Sequence, residues 1–310
     1  MKMKSNYKYI TFIFLLIASI AYLDLISAPK KSTFLELAKK LYDNGDYKQA
    51  IEFIDKAIDK DTSNKHQAYS LRGICNYNLK NYKDALADLK SSIELLKTKL
   101  NDAQSKESKK DLISLQSNTY FNRALVYQEL GELDSALNDF SFVIANDKDN
   151  KFSYFNKGFI YFQKSMNDSA LFYFTEVLRV DPNDYDALYN RGNIYYELGD
   201  CIQSENDYNK LIKNKRDDEF IYLNLGNCYF NKSDFQKSIE FYGKSISKNK
   251  FMISAYYNRA QAFKSQKKYK DAMNDLKFVM DNLEKDVNFV NKKQNIKKEF
   301  ENLQNFVREN

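Results

Sequence analysis

Residues 154–200 read YFNKGFIYFQKSMNDSALFYFTEVLRVDPNDYDALYNRGNIYYELGD. Gly158 and Gly192 stand 34 residues apart, and each closes an Asn-basic-Gly triplet: Asn156-Lys157-Gly158 and Asn190-Arg191-Gly192. The same phase extends outward in both directions. Aligning on a small eighth residue gives seven copies, starting at Lys31, His66, Ser117, Lys151, Tyr185, Glu219 and Ile253. The eighth position reads Ala38, Gly73, Ala124, Gly158, Gly192, Gly226 and Ala260. The twentieth reads Ala50, Ala85, Ala136, Ala170, Ser204, Ser238 and Ala272, and the twenty-fourth Ile54, Leu89, Phe140, Phe174, Tyr208, Tyr242 and Leu276.

Helical periodicity explains this pattern. Positions 4, 7, 8 and 11 share one face of a 3.6-period helix, and positions 20, 24 and 27 share one face of a second. A turn between them carries Gly at position 15 in three copies, Gly45, Gly131 and Gly199. Small residues at 8 and 20 let the two helices approach closely, while bulky residues at 4, 11 and 24 fill the space around them. Self-similarity of this kind, near 34 residues, marks a stacked array.

The pattern resembles the tetratricopeptide-repeat (TPR) family over roughly residues 31–284, with one interruption. It departs from the family in keeping the usual proline only at Pro182 and in placing Asn76 where an aromatic is expected. The resemblance implies an all-α, right-handed α-solenoid of about seven TPR helix hairpins. The expected organisation is repeats 1–2 over 31–97, an insertion over 98–116, repeats 3–7 over 117–284 and a C-terminal capping helix over 285–310. The insertion lengthens the second helix of repeat 2, on which Leu86, Leu89, Ile93, Leu96 and Leu100 form a coiled-coil-like stripe. Ala103 to Lys110 reads as a polar loop, and Leu112 and Leu115 open the return helix. Phe289, Ile296, Phe300, Leu303 and Val307 give the last segment one apolar face, as a solenoid cap requires.

Residues 1–28 read as a signal peptide or an N-terminal membrane anchor. Lys2, Lys4 and Lys8 precede an apolar run from Ile10 to Leu23, and Ser19-Ile20-Ala21 offers small residues for cleavage. The run spans about 21 Å as a helix, short of a bilayer core unless it continues to Ala28. The expected location is therefore extracytoplasmic: periplasmic or secreted after cleavage near Ala21, otherwise anchored by this helix. Membrane contact is expected only through it.

Stacked hairpins place their first helices on the concave side of the superhelix. At 100° per residue, positions 2, 6, 9 and 13 point into that groove. Position 6 is Asn122, Asn156, Asn190, Asn224 and Asn258; positions 9 and 13 add Asn193, Asn227, Gln261 and Asn231. A primary amide both donates and accepts, so a spaced row of them can bond the backbone of an extended peptide. Phe121, Phe155, Tyr189, Tyr196, Phe230 and Tyr257 flank this face. The five position-6 residues resemble the asparagine ladder of peptide-binding TPR superhelices.

Composition narrows the remaining classes. The chain has 310 residues, 29% charged and 43% hydrophobic, with only two prolines and eight glycines. That suits a folded helical protein and argues against a turn-rich β-fold. Net charge is +6 without a basic stripe, so no nucleic-acid partner is expected. No phosphate loop, Cys-x-x-Cys, paired His–Glu or nucleophile elbow occurs. No catalytic residue, metal or cofactor is assigned, and the chain is not expected to be an enzyme. His66 reads as a surface residue at a helix start. Cys75, Cys201 and Cys228 read as small core residues, with at least one free. The expected role is a non-catalytic scaffold for an unknown protein or peptide. The alternatives are a self-associating structural subunit, hence a homo-oligomer, or an accessory module of an enzyme or secretion complex.

Overall fold

The structure, a computed structural model, describes residues 33–60, 64–282 and 292–309. The expected signal or anchor, 1–28, lies outside these residues. The described residues form fifteen α-helices and no strand, and none of those helices is long and apolar enough to cross a membrane. The chain divides into two compact units, 1–160 and 161–310.

The first unit stacks three antiparallel hairpins. They are α1 (Phe34–Asp43) with α2 (Tyr47–Lys60), α3 (Lys65–Asn78) with α4 (Tyr82–Asp102), and α5 (Lys106–Glu129) with α6 (Leu133–Asn146). Helix α7 (Lys151–Gln163) begins in this unit. The second unit holds α8 (Asn167–Val180), then α9 (Tyr185–Glu197) on α10 (Cys201–Lys213) and α11 (Glu219–Asn231) on α12 (Phe235–Lys248). It ends with α13 (Ile253–Ser265) on α14 (Tyr269–Asn282) and a last helix, α15 (Lys293–Glu309), packed on α14. The fold is an α-solenoid of helix hairpins.

The repeat phase sets the core. The position-20 residue is fully buried in all seven repeats, and the position-24 side chain is at most 1% exposed. Burying a side chain of this size contributes roughly 1.5–3 kcal/mol, so position 24 is a main source of hairpin stability. Glycine at position 8 is a matter of space. A Cβ on Gly226 would lie 2.5 Å from the Tyr242 ring, and one on Gly192 would lie 2.9 Å from Tyr208.

One backbone geometry closes every hairpin. Position 15 has positive φ in all seven repeats: Gly45, Lys80, Gly131, Ser165, Gly199, Ser233 and Lys267. Its N–H bonds the carbonyl of position 12, and the next N–H bonds that of position 11, at 2.8–3.0 Å. This pair of bonds is the Schellman motif, which satisfies the last carbonyls of the first helix. Glycine adopts the left-handed conformation without steric penalty; lysine and serine hold it at φ 57–64° against their own preference. Second-unit helices are also capped in phase. Asp184, Asp200, Asp218 and Asp234 each accept a backbone N–H three residues on, at 2.9–3.2 Å, which is how an N-cap aspartate stabilises a helix start.

Three details differ from the sequence expectation. The insertion loop is shorter: α4 runs to Asp102 and α5 already starts at Lys106, with Ser105 as its N-cap. Leu89, Ile93 and Leu96 are buried, whereas Leu115 is 38% exposed. The polar stretch Ser105–Lys110 is therefore a capped helix start, because Ser105 Oγ accepts the Ser108 N–H at 3.0 Å. His66 is buried rather than on the surface, at 5% exposure, and its Nδ1 has no hydrogen-bond partner. Position 1 faces inward there because Ser92 Oγ donates to the His66 carbonyl at 2.7 Å and draws the helix start onto α4. Finally, the cysteines are not all independent core residues. Cys201 and Cys228 form a disulfide with their Cα atoms 5.5 Å apart; Cys75 is free and buried.

Candidate functional site

The first-helix amides separate into two groups. In the second unit, most are used for packing between repeats. Tyr208 Oη donates to Asn193 Oδ1 at 2.5 Å, and Asn224 Nδ2 donates to Tyr208 Oη at 2.9 Å and Asn193 Oδ1 at 3.3 Å. One repeat later the motif returns. Tyr242 Oη donates to Asn227 Oδ1 at 2.7 Å, and Asn258 Nδ2 donates to the same oxygen at 2.8 Å. Asn227 Nδ2 also donates to Tyr196 Oη at 2.8 Å. Asn193 and Asn224 are both 5% exposed, so for these two the expectation of open groove positions is corrected. The hydroxyl of position 24 reaches the position-9 amide and turns it toward position 6 of the next repeat. Burial pushes the pKa of both tyrosine hydroxyls upward.

The series ends in a charged variant. In repeat 7, Gln261 Nε2 donates to Glu299 Oε1 of α15 at 2.9 Å, and Lys264 pairs with the same carboxylate. Glu299 thus takes the place of the following asparagine, but it accepts from position 9 where Asn224 and Asn258 donate to it. Ile296 and Leu303 beside it are buried.

Other amides are not drawn into such networks. Asn156 Nδ2 donates to the Phe152 carbonyl and Asn190 Nδ2 to the Asp186 carbonyl, both at 2.8 Å and both one turn back on their own helix. Asn122 is half-buried and Asn231 exposed. The flanking aromatics vary too. Phe155 is buried, and Phe121 sets its edge on Phe140 with centroids 5.5 Å apart. Phe230 does the same on Phe235 at 5.4 Å. Tyr189 and Tyr257 are half-buried. The pKa of their hydroxyls is raised by burial, with Asp218 adding to this at Tyr189 and Glu299 at Tyr257.

One recurrent contact was not anticipated from the sequence. Arg at position 7 makes a two-pronged ion pair with Asp sixteen residues on: Arg72–Asp88, Arg123–Asp139, Arg191–Asp207 and Arg259–Asp275, at 2.7–3.0 Å. Two of these arginines also reach back to the preceding second helix. Arg72 Nη1 bonds Asp55 at 2.6 Å and Arg191 Nη1 bonds Thr175 at 3.1 Å. Lys157, at the same position, donates to Ser141 at 2.7 Å. The signal was legible as Arg and Asp recurring at a spacing of 16. Fork-to-carboxylate geometry makes each pair specific as well as strong. The aspartates are 2–6% exposed, so the pairs hold hairpins together and are not offered to a ligand.

Among the described residues, no group of three or more His, Cys, Asp or Glu could hold a metal ion. An open cleft of about 500 Å³ lies beside α15, lined in part by Lys264, Tyr269, Glu299, Leu303 and Phe306.

Comparisons with known proteins agree with this repeat geometry. Tetratricopeptide-repeat family models match residues 153–184 and 221–249, and another matches 173–205. This is a tetratricopeptide-repeat protein. Its residues 7–92 also match the family described as anaphase-promoting complex, cyclosome, subunit 3. No curated protein matches this TPR chain in sequence. Solved TPR structures do match its fold. The C-terminal part of a TPR-containing protein from Cytophaga hutchinsonii is 18% identical, with a TM-score of 0.66 over 83% of this chain and 98% of that one. A TPR protein from Parabacteroides merdae is 20% identical, with a TM-score of 0.51 over 87% and 97%. MamA of Desulfovibrio magneticus, from residue 41 on, is 18% identical, with a TM-score of 0.51 over 55% and 97%. At these identities the likeness concerns the fold.

Proposed function

We propose that this TPR protein is a non-catalytic protein-interaction module that binds an extended polypeptide segment on its first-helix faces. The tetratricopeptide matches support the module class. The segment reading is carried by one observation, made in each unit by itself: Asn122 and Asn156 in the first unit, and Asn190 in the second, are not consumed by the Tyr–Asn networks. In Asn156 and Asn190 a single N–H bonds the helix behind. The remaining N–H and the Oδ1 of each are left to meet a guest backbone, which needs both a donor and an acceptor. Asn193, Asn224, Asn227 and Asn258 leave this role, since their bonds hold repeats together. We place the module outside the cytoplasm, on the charged and apolar pattern of residues 1–28.

The test is crosslinked co-capture of the tagged protein from its own cells, with mass spectrometry as the readout. Wild type is run beside the Asn122→Ala, Asn156→Ala, Asn190→Ala triple variant, with circular dichroism confirming an intact fold. Loss of one captured protein from the folded variant is expected. Equal capture by both would overturn the amide-based reading.

A further inference from the structure

The disulfide lies at the junction between repeats 5 and 6. Cys201 is position 17 of repeat 5, the first residue of α10, and Cys228 is position 10 of repeat 6, inside α11. At the other junctions the same two positions hold Tyr47 and Cys75, Tyr82 and Val126, Leu133 and Ile160, Asn167 and Ile194, and Phe235 and Ala262. Only at this junction are both positions cysteine, and there they are covalently joined. Cys75 occupies the register of Cys228, but its counterpart is Tyr47, so it has no thiol to join.

Compared with the α12–α13 junction that follows it, the bonded junction has a longer link and a shorter helix contact. The link from α10 to α11 takes five residues, 214–218, where the α6–α7, α8–α9 and α12–α13 links take four. Lys215 in it has a positive φ of 55°. Helix α10 meets α11 along a shorter stretch than α12 meets α13. The buried Tyr208–Asn193–Asn224 network crosses this junction, and it is satisfied only while the two repeats stay in register.

We propose that Cys201–Cys228 is a redox clasp that locks repeat 6 onto repeat 5 and keeps that amide network closed. It forms by thiol–disulfide exchange. The two thiols give up two protons and two electrons, the new S–S bond joins α10 to α11, and the disulfide of a small-molecule or protein oxidant is reduced to its dithiol. The cysteines are 8% and 2% exposed, so a reductant reaches the bond only after the junction opens. The part of this inference that concerns who supplies the oxidant rests on the extracytoplasmic reading; the clasp itself does not.

The experiment has two arms. In the first, purified full-length protein is reduced, then reoxidised with oxidised glutathione, and alkylated in denaturant. One alkylated cysteine per chain is expected, with Cys201 joined to Cys228 in the peptide map. The oxidised form should melt about 5–10 °C above the reduced one, the scale of a closed loop of this length. The Cys201→Ser, Cys228→Ser double variant should show no response to reductant. Three free thiols, pairing through Cys75, or equal melting of both forms would overturn the clasp. In the second arm, the protein is trapped by alkylation in its own cells. A bond there supports both the clasp and the location. A bond that forms in the first arm only would support the clasp and sink the location.

Discussion

Repeats 3 and 4 place Phe140 and Phe174 at position 24, whereas repeats 5 and 6 place Tyr208 and Tyr242 there. All four rings are buried to the same degree, yet the asparagine that follows each behaves differently. After phenylalanine, Asn156 and Asn190 fold back onto their own helix. After tyrosine, Asn224 and Asn258 join a shared network. Position 9 changes in step, from Leu125 and Phe159 to Asn193 and Asn227. One hydroxyl and one amide, both outside position 6, thus decide whether the position-6 amide serves the array or stays available. Identical residues at identical phase are not evidence of identical use.

The largest expected effect breaks this contrast in the tyrosine-type repeats. Asn193→Leu leaves the Tyr208 hydroxyl and the Asn224 amide short of their partner in a buried site. It should destabilise the protein by about 2–4 kcal/mol, since each unmet buried group costs about 1–3 kcal/mol. Adding Tyr208→Phe recreates the phenylalanine-type pair and should recover part of the loss. Chemical denaturation of the single and double variants gives the comparison. An additive loss in the double variant would mean that the hydroxyl and the amide are not coupled.

A pH titration sharpens the contrast from outside. Neither Phe and Leu nor Tyr and Asn titrates between pH 4 and 7, but repeat 2 buries His66. Burial, with Lys99 adding to it, lowers the imidazole pKa to about 4. The folded state therefore resists a proton that the unfolded chain takes up below about pH 6.5. Stability should fall as pH drops from about 6.5 to 4, by up to about 3 kcal/mol. Thermal melting across that window should show the slope in wild type and a flatter profile in His66→Leu.

The smallest effect concerns the turns, which do not differ between the two types of repeat. Ser165 follows a phenylalanine-type hairpin start and Ser233 a tyrosine-type one, and both hold a positive φ. Ser165→Gly and Ser233→Gly should each stabilise the fold by up to about 1 kcal/mol, because glycine adopts this conformation without strain. Equal gains in differential scanning calorimetry would show that the turn is independent of the junction chemistry.

Much of the fold was legible because its determinants are local. Small residues at 8 and 20 and bulk at 24 mark the hairpin core, and each is set by one residue's size. The site was legible only in part. Projecting Asn193 and Asn224 from an isolated helix puts them in open space, but in the stacked array they are buried against each other and Tyr208 across the junction of repeats 5 and 6. The left-handed turns were visible at Gly45, Gly131 and Gly199 and hidden at Lys80 and Lys267, where nothing in the side chain announces the backbone. The Cys201–Cys228 bond was hidden by its separation of 27 residues, which becomes short only once two repeats are stacked.

The position-7 arginines carry a consequence for cooperativity. A repeat array unfolds as a row of units coupled to nearest neighbours, so what matters is how strongly each unit feels the next. Arg72 and Arg191 each bond their own second helix and the one before it, so neither side of those boundaries can melt without breaking an ion pair or hydrogen bond on the other. Leu225 occupies the same position in repeat 6 and transmits nothing polar. Neighbour coupling along the chain is therefore uneven by design of single residues, and fraying from either end should pause at Arg72 and Arg191.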